Sequence, residues 1–293
     1  MRRVLRCVPA ERVVISTTPA QEDSIRYQLG EWKDAIRNNF VVEPEARNTA
    51  PAIALVAAEL IRRDPLAAML VLPADHVVQG QQRFHAAVRL GEQLARQERL
   101  VTFGIPPIRP ETGYGYIQPE RRVTLGSAGR LTGYPVARFV EKPDAKTAAR
   151  YLKAGHYYWN SGIFLWQAKT ILEEIARYQP ALGQALKPVG EALRSGRSER
   201  AASLYRRLAP VSIDHGVMEQ SDRAAMIPVD FLWSDVGSWS SLEEVAARDK
   251  GGNVVSGNVV DVGSRDSILY ADRRLVATIG LSDMVVVDTP DAT

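Results

Sequence analysis

Two aspartates of the sequence each follow a short apolar run. Asp75 comes directly after the run at residues 69–72 and its Pro-Ala pair, and Asp235 follows the strand candidate at residues 224–233. Because ligand sites of open parallel sheets form beyond the carboxyl ends of the strands, two such carboxylates can converge on one crevice. They would make an oxygen-rich site suited to Mg²⁺, which also takes ligands from substrate phosphates. Each aspartate taken singly also fits a turn or a helix cap.

Polar groups also follow other apolar runs. Glu141 and Lys142 would serve different groups of one ligand if a strand ends there, and a surface charge pair is the alternative. Asn160 and its neighbours offer amide and hydroxyl groups of the kind that bind sugar hydroxyls, although a turn has the same composition. Gly113 and Gly115 permit either a close backbone approach to a ligand or a tight turn.

The remaining reactive side chains carry weaker signals. Cys7 is the only cysteine, which excludes a disulfide-stapled fold, and we interpret it as core filler or an exposed thiol. His76 could be a general base beside Asp75, but we expect a structural role, and the other histidines lack metal-ligand spacing. The motifs of P-loop NTPases, dinucleotide enzymes, α/β-hydrolases and zinc proteases do not occur in the sequence.

Hydrophobic periodicity predicts the elements that position these residues. Up to about Trp233, short β-rich runs alternate with helix-period segments, which is typical of an α/β fold with a Rossmann-like, mostly parallel sheet flanked by helices. Thr49 is predicted to cap a helix, and the run at 69–72 to form a central strand buried on both faces. Strands are predicted at residues 12–16, 40–42, 69–72, 101–105, 158–166 and 224–233, and helices at 24–32, 49–63, 82–96, 144–153, 169–178 and through Glu244.

The residues after 250 have a different texture. Short runs rich in valine and isoleucine are separated at fairly regular intervals by glycine, asparagine, aspartate and serine, which predicts an all-β segment. We therefore expect a large α/β domain at residues 1–249 and a small β domain at residues 250–293.

Charge and hydropathy limit the partners. Lysines and arginines number 37 against 34 acidic residues, and the basic residues are scattered, so nucleic-acid binding is not indicated. No apolar run approaches the roughly 20 residues that cross a bilayer, and the amino terminus lacks the apolar stretch of a signal peptide. We expect no membrane partner and a cytoplasmic location.

Seven segments of the sequence occur in an order typical of one family. They are EPEARNTAPAIAL at 43–55, VLPADH at 71–76, FGIPPIRPETGYGYI at 103–117, FVEKP at 139–143, YYWNSGIFLW at 157–166, SIDHGVMEQ at 212–220 and WSDVGSW at 233–239. Together they resemble the mannose-1-phosphate guanylyltransferases, also called GDP-mannose pyrophosphorylases, of the bacterial sugar-nucleotide transferase type. RNTAP and WNSGIF point to the guanylyl and mannose members. The resemblance spans nearly the whole chain and implies the nucleotidyltransferase fold.

The resemblance implies a reaction and a set of catalytic residues. In this family an oxygen of mannose 1-phosphate attacks the α-phosphate of GTP in line, and pyrophosphate leaves. Asp75 and Asp235 match the aspartates that bind Mg²⁺, the implied cofactor. Lys142 matches the cation expected on the sugar phosphate, and we count it with the two aspartates as catalytic.

The resemblance also implies substrate contacts and partners. The residues expected on the side of mannose 1-phosphate are Gly115, Glu141, Lys142 and Asn160. Those expected near the guanine nucleotide are Arg47, Asn48, Thr49 and Pro51. GTP and mannose 1-phosphate are the implied small-molecule partners, and the small β domain, which commonly takes part in dimer contacts in this family, would make a homodimer.

Two features depart from the family pattern. The family begins with a buried strand, a glycine-rich loop G-G-x-G-x-R-L-x-P that carries the triphosphate, and a Pro-Lys pair, none of which the chain contains. We therefore expect a nucleotidyltransferase domain that is incomplete at its amino end, and a small β domain that is cut before its end. Gln220 stands where a basic residue is usual. The alternative functions are a non-catalytic module that binds sugar phosphate or nucleotide, and a transferase for another hexose 1-phosphate.

Overall fold

A computed structural model of the chain describes residues 4–293. These residues form two compact units, one made of residues up to 72 together with 81–230, and one made of residues 73–80 together with 231–293. The predicted domain boundary at residue 249 lies inside the second unit, and it stays a prediction. Asp75 and Asp235 belong to the second unit, and the other candidate site residues belong to the first.

Helices and strands alternate along most of the chain. The helices are α1 (Pro19–Gln28), α2 (Thr49–Arg63), α3 (Gln81–Ala95), α4 (Ala145–Ala154), α5 (Ala168–Tyr178), α6 (Pro180–Arg194), α7 (Ser198–Tyr205) and α8 (Leu242–Val245). The strands are β1 (Ile15–Thr17), β2 (Phe40–Val42), β3 (Ala68–Val71), β4 (Val77–Gln79), β5 (Leu100–Ile105), β6 (Tyr116–Pro119), β7 (Gly126–Ala128), β8 (Leu131–Val140), β9 (Tyr158–Gln167), β10 (Ala224–Pro228), β11 (Leu232–Ser234), β12 (Val254–Val262), β13 (Ile268–Ile279) and β14 (Val285–Asp288). A π-helical turn occupies Asp214–Met218.

The first unit is built around a seven-stranded sheet, which confirms the α/β fold class. Strands β3, β5 and β10 run in the same direction, as predicted, but β9 runs antiparallel between β3 and β5. Helix α4 joins β8 to β9, and a helical crossover joins strands that run in the same direction. Because β8 runs antiparallel to β10, β9 also runs antiparallel to β10 and to β5. Strand β6 pairs with both β8 and β9, and β7 pairs with β8.

Helices cover both faces of this sheet, as predicted. Phe164 and Trp166 of β9 join the core that α2 and α5 complete. The intervening Leu165 points to the other face, where it packs against Gly91 of α3 together with Phe103 of β5. All six residues of β5 are buried, as a strand covered on both faces requires.

Three element predictions were wrong in detail. In β3 only Met69 is buried, because the strand pairs with β9 on one side and has no second ladder among residues 4–293, so it is not a central strand. The segment 224–233 forms two strands rather than one. The first helix begins at Pro19, five residues earlier than predicted, since proline is favoured in the first turn of a helix.

The second unit consists of β strands with short helical turns. Strands β4 and β11 form an antiparallel pair in which Val77 lies opposite Ser234. Strands β12, β13 and β14 are parallel, and Val254, Ile268 and Val285 are successive partners across them. This three-stranded sheet confirms that the residues after 250 are β-structured. Among the described residues no helix combines the length and hydropathy that a membrane span requires.

Candidate active site

Three of the candidate residues for sugar binding lie in contact in the first unit. Gly115 precedes β6, Asn160 lies in β9, and Glu141 follows β8 directly. The backbone N–H of Asn160 donates to the carbonyl of Gly115 at 2.8 Å. A Cβ atom at Gly115 would collide with the carboxylate of Glu141 and lie 3.2 Å from the Cβ of Asn160. The two glycines of the TGYGY segment therefore differ, because only Gly115 must lack a side chain for this contact.

The Asn160 amide is held in one orientation by protein partners. Its Oδ1 accepts from the Thr102 hydroxyl at 2.9 Å and from the Gly162 backbone N–H at 3.2 Å. Its Nδ2 donates to Oδ1 of Asp214 at 2.7 Å. An ionised carboxylate accepts hydrogen bonds and donates none, so the NH₂ end of the Asn160 amide must face Asp214. The second N–H of Asn160 has no partner among residues 4–293 and can serve a ligand.

Glu141 supplies an acceptor that the protein does not use. Its Oε2 is buried and has no hydrogen-bond partner among residues 4–293. Burial, followed by the charge of Asp214, raises the pKa of Glu141 to about 7, while Lys142 and His215 act in the opposite direction. A buried carboxyl oxygen without a partner is costly to the fold, so it marks a position where a ligand hydroxyl would be stabilised.

Lys142 adopts an uncommon backbone conformation beside this carboxyl. Its φ is +48°, in the left-handed region that favours glycine. Left-handed conformations of other residues are found preferentially at functional sites, where the surrounding structure holds them. Lys142 is also one of the charges that act on Glu141 and Asp214, which places its ammonium group near both carboxyls.

Asp214 and Glu219 were missed as site residues, although both lie in the segment SIDHGVMEQ. Burial raises the pKa of Asp214. Oε1 of Glu219 accepts from the backbone N–H of Glu141 at 2.7 Å, and its Oε2 lies 3.0 Å from Nδ1 of His215. The sequence signal for them was an acidic residue on each side of the apolar pair Val217-Met218. Val217 and Met218 are both buried in the structure.

The nucleotide-side candidates lie at the start of α2. Asn48, rather than the predicted Thr49, caps this helix, and its Oδ1 accepts from the Thr49 N–H. Ala50 donates its N–H to the carbonyl of Val211 at 3.1 Å, and Pro51 has no N–H. The first positions of α2 therefore leave no free backbone donor for a phosphate.

The side chains of residues 47–51 differ in whether their hydrogen-bonding groups already have protein partners. The Thr49 hydroxyl accepts from the backbone N–H of Ile213 at 2.8 Å, and Pro51 is buried. Arg47 pairs with Glu45 at 3.3 Å, and its Nε is buried with no hydrogen-bond partner in the part of the chain that the structure describes. Arg47 is thus the candidate here with an unused donor.

The two candidate metal ligands leave the same end of the β4–β11 pair in the second unit. Asp75 lies two residues before Val77, and Asp235 follows Ser234, the residue opposite Val77. The Asp75 side chain is largely exposed, and Oδ1 of Asp235 accepts from the Gly237 N–H at 3.3 Å. Between them His76 accepts at Nδ1 from the indole N–H of Trp233 at 3.2 Å, as a structural role requires.

This donor set fits Mg²⁺. Residues 4–293 contain no cluster of three or more histidine, cysteine or acidic side chains that could hold a metal. Mg²⁺ usually binds proteins through one or two carboxylates and completes its shell with water and substrate phosphates. Two carboxylates at one strand-pair end therefore match the chemistry of Mg²⁺ better than that of a closed structural metal site.

Two family models match the chain. The model described as "Nucleotidyl transferase" matches residues 3–251, and the model described as "MannoseP isomerase/GMP-like beta-helix domain" matches residues 257–293. The chain belongs to the nucleotidyl transferase family. This membership agrees with the seven segments of the sequence and with the α/β architecture of the first unit.

Relatives of this nucleotidyl transferase are named for mannose 1-phosphate. The mannose-1-phosphate guanylyltransferase of Klebsiella pneumoniae is 46% identical over 261 residues, which cover 88% of this chain and 54% of that protein. A protein of the same name from Escherichia coli is 45% identical with the same coverage. The chain thus spans about half the length of the curated relatives it matches.

A solved structure is similar over nearly the whole chain. It is described as mannose-1-phosphate geranyltransferase from Thermus thermophilus, with a TM-score of 0.83 and 34% identity. The match covers 99% of this chain and 81% of that one. The predicted resemblance to mannose-1-phosphate guanylyltransferases is thereby confirmed.

Proposed function

We propose that this nucleotidyl transferase transfers a guanylyl group from GTP to mannose 1-phosphate, which yields GDP-mannose and pyrophosphate. The observation that carries this proposal is the contact between Gly115, Glu141 and Asn160, three residues that the family resemblance assigns to the sugar. The names of the relatives at 45% and 46% identity support the choice of nucleotide and sugar.

The sugar side of the reaction follows from the unused groups. Oε2 of Glu141 accepts from a sugar hydroxyl, and the free N–H of Asn160 donates to a second oxygen. Lys142 offers a cation for the phosphate of the sugar. Because Asp214 and Thr102 hold the amide of Asn160, the pocket is organised before the ligand arrives, which lowers the entropic cost of binding.

The nucleotide and metal side is the second part of the proposal. Arg47 would contact the guanine nucleotide through its guanidinium group, with Asn48, Thr49 and Pro51 shaping the segment. Asp75 and Asp235 would hold Mg²⁺. When bound, Mg²⁺ supplies positive charge to the phosphates during in-line displacement. We further propose a cytoplasmic location, where nucleotides and sugar phosphates are available, and a homodimer.

Pyrophosphate release by the chain tests the proposed reaction. The substrates are GTP and mannose 1-phosphate with Mg²⁺, and glucose 1-phosphate and UTP serve as competing choices. Turnover that prefers GTP and mannose 1-phosphate supports the proposal, whereas a preference for another pair contradicts it. Calorimetry adds a second measurement, since binding of mannose 1-phosphate without turnover would make the chain a binding module.

Alanine substitution at the two glycines of TGYGY tests the sugar pocket. In Gly115→Ala the new methyl group collides with the Glu141 carboxylate, so we expect mannose 1-phosphate to bind roughly tenfold more weakly or worse. Gly113→Ala is the matched control, because its methyl group meets only Oε1 of Glu111 at 3.5 Å, an ordinary contact. Equal affinities in the two variants would place the sugar elsewhere.

A further inference from the structure

One short segment of the chain contacts both Glu141 and Asn160, two residues of the proposed sugar pocket. It consists of the π-helical turn Asp214–Met218 and the next residue, Glu219. Asp214 accepts from the side chain of Asn160, and Glu219 accepts from the backbone of Glu141, each at 2.7 Å. Asn160 lies in β9 and Glu141 directly follows β8, so this segment connects two parts of the proposed pocket.

The contact of Asp214 decides which end of the Asn160 amide faces the pocket. Thr102 and the Gly162 N–H bind the oxygen of the amide, and Asp214 binds its nitrogen. A flipped amide would put its oxygen against the Asp214 carboxylate and its nitrogen against the Gly162 N–H, which are both repulsive contacts. Burying a carboxylate is costly, and an apolar side chain would fill the same place more cheaply. The polar group therefore points to a need for orientation.

The contact of Glu219 holds the chain at the bend that follows β8. The N–H of Glu141 donates to Glu219, and the next residue, Lys142, has a left-handed backbone conformation. The other carboxylate oxygen of Glu219 lies 3.0 Å from Nδ1 of His215, which keeps the side chain of Glu219 in place. Without this acceptor the end of β8, and with it the carboxyl of Glu141, would lose its anchor.

We propose that Asp214 and Glu219 are positioning residues of the sugar 1-phosphate pocket, Asp214 for the amide of Asn160 and Glu219 for the backbone of Glu141. This assignment rests on the proposed function of the chain. Neither carboxylate has to touch the sugar. Each acts by keeping a ligand-binding group at the distance and angle that the ligand needs.

Paired substitutions separate positioning from general stability. Asp214→Leu removes the acceptor and keeps the volume filled, whereas Asp214→Asn keeps an oxygen for Asn160. Glu219→Ala and Glu219→Gln form the second pair, in which only glutamine keeps an acceptor for the Glu141 N–H. Glu199→Ala, an exposed glutamate of α7, is the matched control. Each variant is titrated calorimetrically with mannose 1-phosphate and with GTP, and its thermal midpoint is measured.

The expected result is a selective loss that the conservative variants repair. Asp214→Leu and Glu219→Ala should bind mannose 1-phosphate roughly tenfold more weakly, the equivalent of about 1.4 kcal/mol and within the range for a lost hydrogen bond. Their affinity for GTP should stay that of the unsubstituted chain. Asp214→Asn, Glu219→Gln and Glu199→Ala should bind mannose 1-phosphate nearly as well as the unsubstituted chain.

Two results would overturn the assignment in distinguishable ways. If the unsubstituted chain binds mannose 1-phosphate and the Leu and Ala variants bind it equally well, the positioning role is wrong and the proposed function stands. If the unsubstituted chain does not bind mannose 1-phosphate, the proposed function fails and the positioning role fails with it. Should Asp214→Leu not fold, the half-exposed Glu219 pair decides the outcome by the same criteria.

Discussion

Glu141 is a carboxyl whose ionisation opposes folding. Burial and the charge of Asp214 raise its pKa from the ordinary value of 4.5 to about 7. Between these two pH values the unfolded chain has released the proton of Glu141 while the folded chain still holds it. The folded state then binds more protons, so the contribution of this group to stability falls as the pH rises through this window.

We expect Glu141→Gln to remove this part of the pH dependence. The amide keeps the size of the side chain but does not ionise, so the variant should lose less free energy of unfolding than the unsubstituted chain between about pH 4.5 and about pH 7. Urea unfolding at both pH values measures the difference. Glu199→Gln, on the exposed surface of α7, should behave like the unsubstituted chain. Identical pH dependence in all three proteins would refute the raised pKa.

The sequence predicted individual residues where a local rule applies to them. Glu141 and Asn160 were singled out because each follows an apolar run, and Gly115 because of the spacing of two glycines. The family resemblance assigned all three to the sugar, and the structure brings them together. Asp214 and Glu219 escaped notice because their hydrogen bonds span 54 and 78 residues of chain. No periodicity or turn rule reports a partner at that separation, and only the folded sheet supplies it.

The same division between local and distant information holds for whole elements. Helix α2 ends at Arg63 as predicted and begins one residue earlier than the predicted Thr49 cap implies, because its apolar stripe at helical spacing faces a continuous core. The antiparallel direction of β9 was not predicted. A strand carries the same alternation of side chains in either direction, so the pattern alone cannot assign it.

The start of α2 is joined to the segment that leads into Asp214. Residues 211 and 213 exchange hydrogen bonds with this helix start: the N–H of Val211 donates to the Arg47 carbonyl at 3.3 Å, and the N–H of Ile213 donates to the Thr49 hydroxyl at 2.8 Å. Asp214 is the next residue, so the proposed nucleotide-side segment and the proposed sugar pocket share one support. Thr49 is therefore a structural link as well as a candidate contact.

Thr49→Val should weaken this link without changing the shape of the side chain. The valine leaves the N–H of buried Ile213 without a partner, which costs about 1–3 kcal/mol of unfolding free energy. Thr49→Ser keeps the hydroxyl and should lose clearly less. Chemical denaturation of the two variants beside the unsubstituted chain gives the comparison. A valine variant as stable as the unsubstituted chain would show that this hydrogen bond does not contribute to stability.

At the scale of the whole molecule, composition predicted that residues 250–293 are β-structured. It did not predict that residues 73–80 belong to the same compact unit. Residues 73–80 cluster with 231–293 because β4 pairs with β11 across a large part of the chain. That pairing is again distant in sequence. The punctuation by glycine, asparagine and serine after residue 250, in contrast, is local, and the parallel strands β12, β13 and β14 follow it.

Asn253 is a buried connection within this second unit. Its Nδ2 donates to the Ser264 carbonyl at 2.9 Å and to Oδ2 of Asp249 at 3.1 Å, and its Oδ1 accepts from the Ser267 N–H at 3.0 Å. Both the nitrogen and the oxygen of the amide are thus hydrogen-bonded. These bonds tie the start of β12 to the loop that leads into β13.

Asn253→Ala should therefore loosen the second unit and leave the first unit intact. Removing the amide leaves a buried carbonyl and a buried N–H unpaired, each at a cost of about 1–3 kcal/mol. Hydrogen exchange should become faster in β12 and β13 and stay slow in β5 and β9, since these belong to separate compact units. Asn258→Ala is the matched control, because this asparagine lies in β12 and is exposed. Faster exchange spread equally over both units would mean that they unfold as one cooperative body, and the division into two units would then not describe their stability.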